Sequence, residues 1–451
     1  VTGVQTCALP IYSIQMFGTF VNRIGRGSVK TVRSVGMTVK AHGTRQNAWG
    51  YAIALGGFGV TTICVLNHKL SAKEEEGGYL YTWGSGQFGQ LGLGTQHDES
   101  LPHLVKEIEG EKTIFVTAGS NTTAVITEGG RLWTFGQGDS NQLGQGNTED
   151  SPNQVLPCEV EDAFDGQPVV CCSVSDGHMA AVTRDGSIWT WGRGSFGRLG
   201  HEVTEAGIPE RVPGLEGIKF VKVSAGHVHT LALTEDGRVY AWGNNKTGCV
   251  GAENRGTCAP QLVEGLEGKK VIDISAGMES SAALTEDHEV YTWGADNYGQ
   301  LGQGQGPRYV NKPTKIRTFK NVPIARIACG QYHMLALSVN GDVYAWGQGL
   351  QGQTANERKV DTNIPHTIDS LREFRIVDIA AGGSHSAVLD DKGRIMTFGS
   401  GRNGQLGRGD KVESIAAYRV TPTLVEYLQK AKVMRIVCGG DHTAAITDKK
   451  I

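Results

Sequence analysis

The apolar positions of this chain come in short blocks. In FVKVSAG (220–226) they alternate with polar ones, in HTLALT (229–234) they run almost unbroken, and in RVYAW (238–242) they alternate again. Alternation at a period of two marks a strand with one buried face, and a short apolar run bounded by turn residues marks a strand buried on both faces. Asp236-Gly237, between the second and third blocks, reads as a hairpin turn in which Gly takes up the positive φ that the turn demands. Asp185-Gly186 and Asn340-Gly341 repeat that device, and Lys392-Gly393 and Gly129-Gly130 vary it. After the third block a glycine-rich tail turns away, and a Leu or Val within it (Val250, Leu301) returns to the core.

The unit recurs. An aromatic residue followed by Gly stands at Trp83, Phe135, Trp191, Trp242, Trp293, Trp346 and Phe398, at spacings of 52, 56, 51, 51, 53 and 52 residues. A Gly closing a strand-like run recurs in phase at Gly119, Gly177, Gly226, Gly277, Gly330, Gly382 and Gly439. Each unit supplies about four short strands, the content of one propeller blade, and only neighbouring blades can cover both of its faces. The predicted fold is therefore an all-β, seven-bladed β-propeller over 77–451. The aromatic rings should wedge between adjacent sheets, each contributing about 2–3 kcal/mol through burial. The first unit, GGYLYTWGSGQFGQLG, has only the aromatic half, and the last, VCGGDHTAAITDKKI, has only the other. The two should pair as an N/C-terminal composite closing blade, and a ring closed in this way should unfold cooperatively.

The segments AGHVHTLALTEDGRVYAWG, WGRGSFGRLG (191–200) and WGADNYGQLG (293–302) resemble the repeats of the regulator-of-chromosome-condensation family. The resemblance covers 77–451 and implies a seven-bladed propeller with about fifty residues per blade. It implies less about function, since that fold hosts exchange factors, ubiquitin-ligase modules, photoreceptors and assembly factors. The ultraviolet-B photoreceptor branch carries Gly-Trp-Arg-His-Thr units. Here the corresponding segments are Gly226-His227-Val228-His229, Gly277-Met278-Glu279-Ser280 and Gly330-Gln331-Tyr332-His333, with no Trp. The exchange-factor branch inserts a small wedge in one blade. The longest insertion here lies between Gly144 and Cys172, and its acidic stretch is a candidate partner-contact loop: Glu159, Glu161, Asp162, Phe164 and Asp165.

His229, His333, His385 and His442 stand three residues after the landmark Gly, where the other units carry Thr122, Ala180 and Ser280. Equivalent positions on different blades lie too far apart to share one ion at ligand distances of about 2 Å. They are expected to make side-chain hydrogen bonds that tie strands together. No Ser-His-Asp grouping, carboxylate pair or phosphate loop stands out, and the Gly-x-Gly stretches open no predicted helix. No catalytic residue, cofactor or metal is expected, and the chain is not read as an enzyme. The nine Cys form no Cys-x-x-Cys pair, and Cys329 and Cys438 sit in apolar runs as small buried hydrophobes.

Charge divides the chain. It has 43 basic and 46 acidic residues; eight of the basic and none of the acidic ones lie at or before Lys73, so the remainder carries a net charge of −11. An acidic body is a poor match for nucleic acid, whose non-specific binding rests on neutralising phosphates. Residues 1–11, VTGVQTCALPI, resemble a translated sequencing adapter and are set apart from the fold. The basic, acid-free leader at 12–47 resembles a mitochondrial transit peptide. The uncharged stretch 48–66, AWGYAIALGGFGVTTICVL, would span about 28 Å as a helix, enough to cross a bilayer, with Trp49 and Tyr51 at one edge. A polar linker, 67–76, follows. The flanking Lys/Arg excess puts the propeller in the intermembrane space.

Together these features imply a protein-interaction scaffold tethered to the mitochondrial inner membrane. Mitochondrial members that resemble this layout include respiratory-complex assembly factors, so respiratory-chain or mitoribosomal subunits are the expected partners. The alternative is a guanine-nucleotide exchange factor acting on a small GTPase.

Overall fold

The computed structural model describes residues 78–146, 153–409 and 418–451. The expectations for 1–11, 12–47, 48–66 and 67–76 fall outside the described residues; within them, no helix is long and apolar enough to cross a membrane.

Twenty-eight strands form seven antiparallel sheets of four, as the repeat requires. Numbered around the ring, the first blade joins Tyr79–Gly84 and Glu99–Leu104 to Val433–Cys438 and His442–Thr447. The others follow at 113–159, 169–211, 220–262, 271–315, 324–367 and 376–424. The first blade is the predicted composite: Tyr79 to Gly84 pairs residue by residue with Thr447 to His442. The last residue adds a further tie, as the Ile451 N–H donates to the Tyr81 hydroxyl at 2.7 Å.

In each blade the second strand is buried along its whole length, including HTLALT at His229–Thr234 and HTAAIT at His442–Thr447. These strands lie between two others of their own sheet and are covered on both faces by neighbouring blades, which is why their apolar runs lack alternation. The Asp236-Gly237 hairpin forms as predicted, with Gly237 at φ 87°.

The outer strands solve a different problem, because an uncovered edge invites pairing with other chains. Each carries a proline: Pro102, Pro157, Pro209, Pro260, Pro313, Pro365 and Pro422. Every one lies inside the register shift of its strand's pairing, where no ladder N–H is needed.

One landmark is displaced. On the third blade Ser175, not Gly177, takes the glycine's place: its N–H donates to His178 O as that of Gly226 donates to His229 O. His178, rather than Ala180, is thus the counterpart of His229 and begins the second strand in the same way.

Candidate functional site

Two parts of the ring carry chemistry-bearing side chains: the seams between blades, and the face where the turns between first and second strands converge.

In the seams, all seven landmark aromatics are buried, none more than 1 % exposed. Each indole N–H donates to a backbone carbonyl in the glycine-rich tail of the preceding blade. Trp83 donates to Gln405 O at 2.9 Å, Trp191 to Gln142 O at 2.9 Å, Trp242 to Arg198 O at 2.9 Å, Trp293 to Cys249 O at 2.9 Å and Trp346 to Gln300 O at 2.8 Å. The rings leave no room at the tail: a Cβ on Gly302, already at φ 68°, would sit 2.7 Å from Trp346 Nε1.

The histidines form a second belt. His178 Nε2 lies 2.8 Å from Thr230 Oγ1, His229 2.8 Å from Ser281 Oγ and His333 2.8 Å from Ser386 Oγ. His385 lies 2.9 Å from Thr443 Oγ1, and His442 2.8 Å from Thr123 Oγ1. Each bond runs to the second strand of the next blade, so the expected tie is between blades. The hydroxyls donate to tail carbonyls: Thr230 to Arg198 O, Ser281 to Cys249 O, Ser386 to Gln353 O, Thr443 to Gln405 O and Thr123 to Gln90 O. A hydroxyl has one proton to give, so each must accept from the imidazole, which assigns the proton to Nε2. Burial pushes His229, His333 and His385 down to about 3 and His442 to about 4, and lowers His178 as well. All five are neutral near pH 7 and committed to the seam.

The candidate contact loop is the crossover from the second blade to the third. Phe164 is buried and packs edge-on against Trp189 and Trp191, with centroids 5.6 and 5.9 Å apart. It fills the place held at other crossovers by Ile108, Leu215, Leu266, Phe319, Leu371 and Leu428. Asp165 pairs with Arg211 at 3.0 Å and Glu159 with Arg131 at 3.2 Å, whereas Glu161 and Asp162 are exposed. Phe164 is thus a core residue, and the loop presents only its acidic side chains.

The turns between first and second strands meet around the axis and line a cavity of about 160 Å³. This cavity face also carries the loops between third and fourth strands. Backbone bonds link its turns: His227 N–H to Met278 O, Met278 N–H to Gln331 O, and Gln331 N–H to Gly382 O. Around the third and fourth blades the face carries a cluster of mixed charge. His227 Nδ1 lies 3.6 Å from Asp176 Oδ2, Arg193 lies 4.0 Å from the same carboxylate, and Arg198 donates to His227 O at 2.8 Å. Arg198 is 2 % exposed, and burial lowers its guanidinium to about 10. Around the fifth and sixth blades the face carries an aromatic pair and a carboxylate, Glu279. The Tyr298 and Tyr332 rings meet edge-on at 5.0 Å, close enough to Glu279 for its charge to raise the Tyr332 phenol, although burial is the larger cause of that rise. Glu279 is raised by desolvation. Among the described residues its carboxylate has no hydrogen bond or ion pair. Exposed apolar side chains stand on the same face: Phe196 (49 %), Leu350 (60 %) and Val360 (46 %).

Sequence reasoning singled out none of Asp176, Arg198, Glu279, Tyr298 or Tyr332. The signal for them is departure from the repeat, such as Arg198 where five tails carry Gln.

A ring of four-stranded blades, bolted through buried indoles and imidazoles and open at a turn-lined face, defines a seven-bladed repeat propeller. More specifically, the chain belongs to the regulator-of-chromosome-condensation family. The RCC1-like domain profile matches 157–451, and the regulator of chromosome condensation (RCC1) repeat profile matches 77–126 and 129–182. It is 31 % identical over 342 residues to the ultraviolet-B receptor UVR8 of Arabidopsis thaliana, covering 75 % of each chain. It is 30 % identical over 405 residues to RCC1 domain-containing protein RUG3, mitochondrial, also of Arabidopsis thaliana, covering 82 % of this chain and 88 % of that one. It spans only 8 % of the length of another relative, the mouse (Mus musculus) ubiquitin ligase HERC2, to which it is 31 % identical. Among solved structures, Prp20p of Saccharomyces cerevisiae superposes with a TM-score of 0.74 at 25 % identity, covering 83 % of this chain and 92 % of that one.

Proposed function

We propose that this chain is a mitochondrial protein-interaction scaffold that docks a protein partner on its cavity face, without itself catalysing a reaction. The observation that carries the reading is a contrast. The belt imidazoles and the landmark indoles are locked into the seams, and burial pushes the Cys249 and Cys329 thiols up to about 12. The cavity face instead leaves Phe196, Leu350 and Val360 exposed and the Glu279 carboxylate unpaired among the described residues, as docking surfaces do. The mitochondrial relative and the basic leader at 12–47 support the compartment. The uncharged stretch 48–66 supports a tether at the inner membrane, with respiratory-chain or mitoribosomal subunits as partners.

The test is affinity purification of the tagged full chain from detergent-solubilised mitochondria. Recovery of respiratory-chain or mitoribosomal proteins is the expected result, and return of the tagged chain alone overturns the scaffold. Carbonate extraction tests the tether: full-length protein in the soluble fraction removes it. A second reading, guanine-nucleotide exchange, has the support of Prp20p, whose structure was reported with its binding to Gsp1p and histones. Accelerated nucleotide release from a small GTPase at catalytic levels of this chain would favour it.

A further inference from the structure

We infer that the cavity face binds its partner through a basic, amphipathic protein segment, whose Arg or Lys side chain enters between Glu279, Tyr298 and Tyr332. The inference rests on the docking reading above and names the chemistry of that site.

The first ground is the state of Glu279. At the same turn position the other blades carry Asn121, Gly177, Val228, Tyr332, Ser384 and Asp441. Asp441 is satisfied by Gln405 Nε2 at 2.9 Å, and Asp176, one residue nearer the axis on the third blade, has the Arg193 guanidinium 4.0 Å away. Glu279 alone among these three carboxylates lacks a cation or donor among the described residues, while desolvation raises it. A half-buried carboxylate that gives up water without a partner in its own chain is set to receive one from outside.

The second ground is the aromatic pair beside it. The faces of Tyr rings attract cations, and a planar guanidinium can stack on a ring while its N–H groups reach a carboxylate. The third ground is what surrounds them. Leu350 and Val360, on the loop that starts where Gln348 N–H donates to Tyr332 O, are exposed and call for apolar contacts from the same occupant. The chain after Lys73 carries a net charge of −11, which favours encounter with a basic partner. On the third blade, by contrast, Asp176 already has Arg193 4.0 Å away.

The probe is a short fluorescein-labelled peptide of Arg, Leu and Gly, titrated by anisotropy against the full chain in detergent. Its counterpart with Glu for Arg is the control. Glu279→Gln should weaken binding of the basic peptide about tenfold, the effect of losing one close charged contact. Glu279→Lys should abolish binding, and Tyr332→Phe should leave it close to wild type. Glu286→Gln, on the hairpin face and paired with Lys270, should not change it. Equal weakening by Glu279→Gln and Glu286→Gln, or equal binding of the acidic peptide, overturns the site. If the site fails while the tagged chain still recovers its partners, the scaffold stands and only this contact falls.

Discussion

The junction between the third and fourth blades and the junction between the second and third are built from the same repeat but held differently. In the first, His178 binds Thr230, and both Thr230 and Trp242 donate to Arg198 O. In the second, Thr122 replaces the histidine, Met179 replaces the hydroxyl, and only the indole of Trp191 crosses to Gln142 O. The fifth-to-sixth junction repeats the second pattern with Ser280, Met334 and Trp346. Histidine and hydroxyl are thus present together or absent together. A dry seam has no water to satisfy a lone imidazole N–H, so losing one partner makes the other a liability. The junctions that have Phe135 or Phe398 in place of Trp keep the imidazole belt. Among the described residues, every junction keeps at least one of the two devices.

The largest effect expected is on closure itself. Deleting Val437 to Ile451 removes the strand that pairs with Tyr79–Gly84, and the chain should lose its single cooperative melt by calorimetry. Acid comes next, and it separates the two kinds of junction. The belt histidines are lowered in the folded state, so below an unfolded value of about 6.5 the unfolded chain binds more protons. Stability from the belt is therefore complete above that pH and is lost as pH falls toward the folded values of about 3 to 4. The slope is up to about 1.4 kcal/mol per pH unit for each histidine, read from urea midpoints.

A smaller effect sharpens the pairing rule. Ser281→Met alone leaves the His229 N–H without an acceptor and should cost about 2–3 kcal/mol. Adding His229→Thr, which copies the Thr122 and Met179 arrangement, should recover at least about 1 kcal/mol and flatten the acid slope by one histidine. Strict additivity of the two changes would break the rule. Smaller again is Trp242→Phe, which keeps the ring and loses one bond. It should cost about 1 kcal/mol, and less than Trp191→Phe, where no imidazole–hydroxyl bond accompanies the indole.

The seven-fold ring, its composite blade and its buried aromatics were legible because the same chemistry recurs every fifty or so residues in one linear pattern. The hydroxyl partners were not, since His229 and Ser281 are 52 residues apart and meet only when blades stack. His178 was missed because Ser175 replaces the landmark glycine and a second glycine, Gly177, stands two residues later. The serine is accommodated because its hydroxyl sits 2.8 Å from His178 Nδ1. Phe164 read as a loop residue among acids, although its place in the core follows from the crossover position it shares with Leu215 and Phe319. Glu279 is a single departure in a turn, and nothing in a linear pattern marks a carboxylate as unpaired.

The division of labour between seam and face is tested most directly by partner recovery from solubilised mitochondria. The tagged full chains to compare carry Glu279→Gln or His229→Gln, at a temperature where both remain folded. Recovery should fall with Glu279→Gln and hold at the wild-type level with His229→Gln. Undiminished recovery with Glu279→Gln, or equal loss with both, would contradict the account.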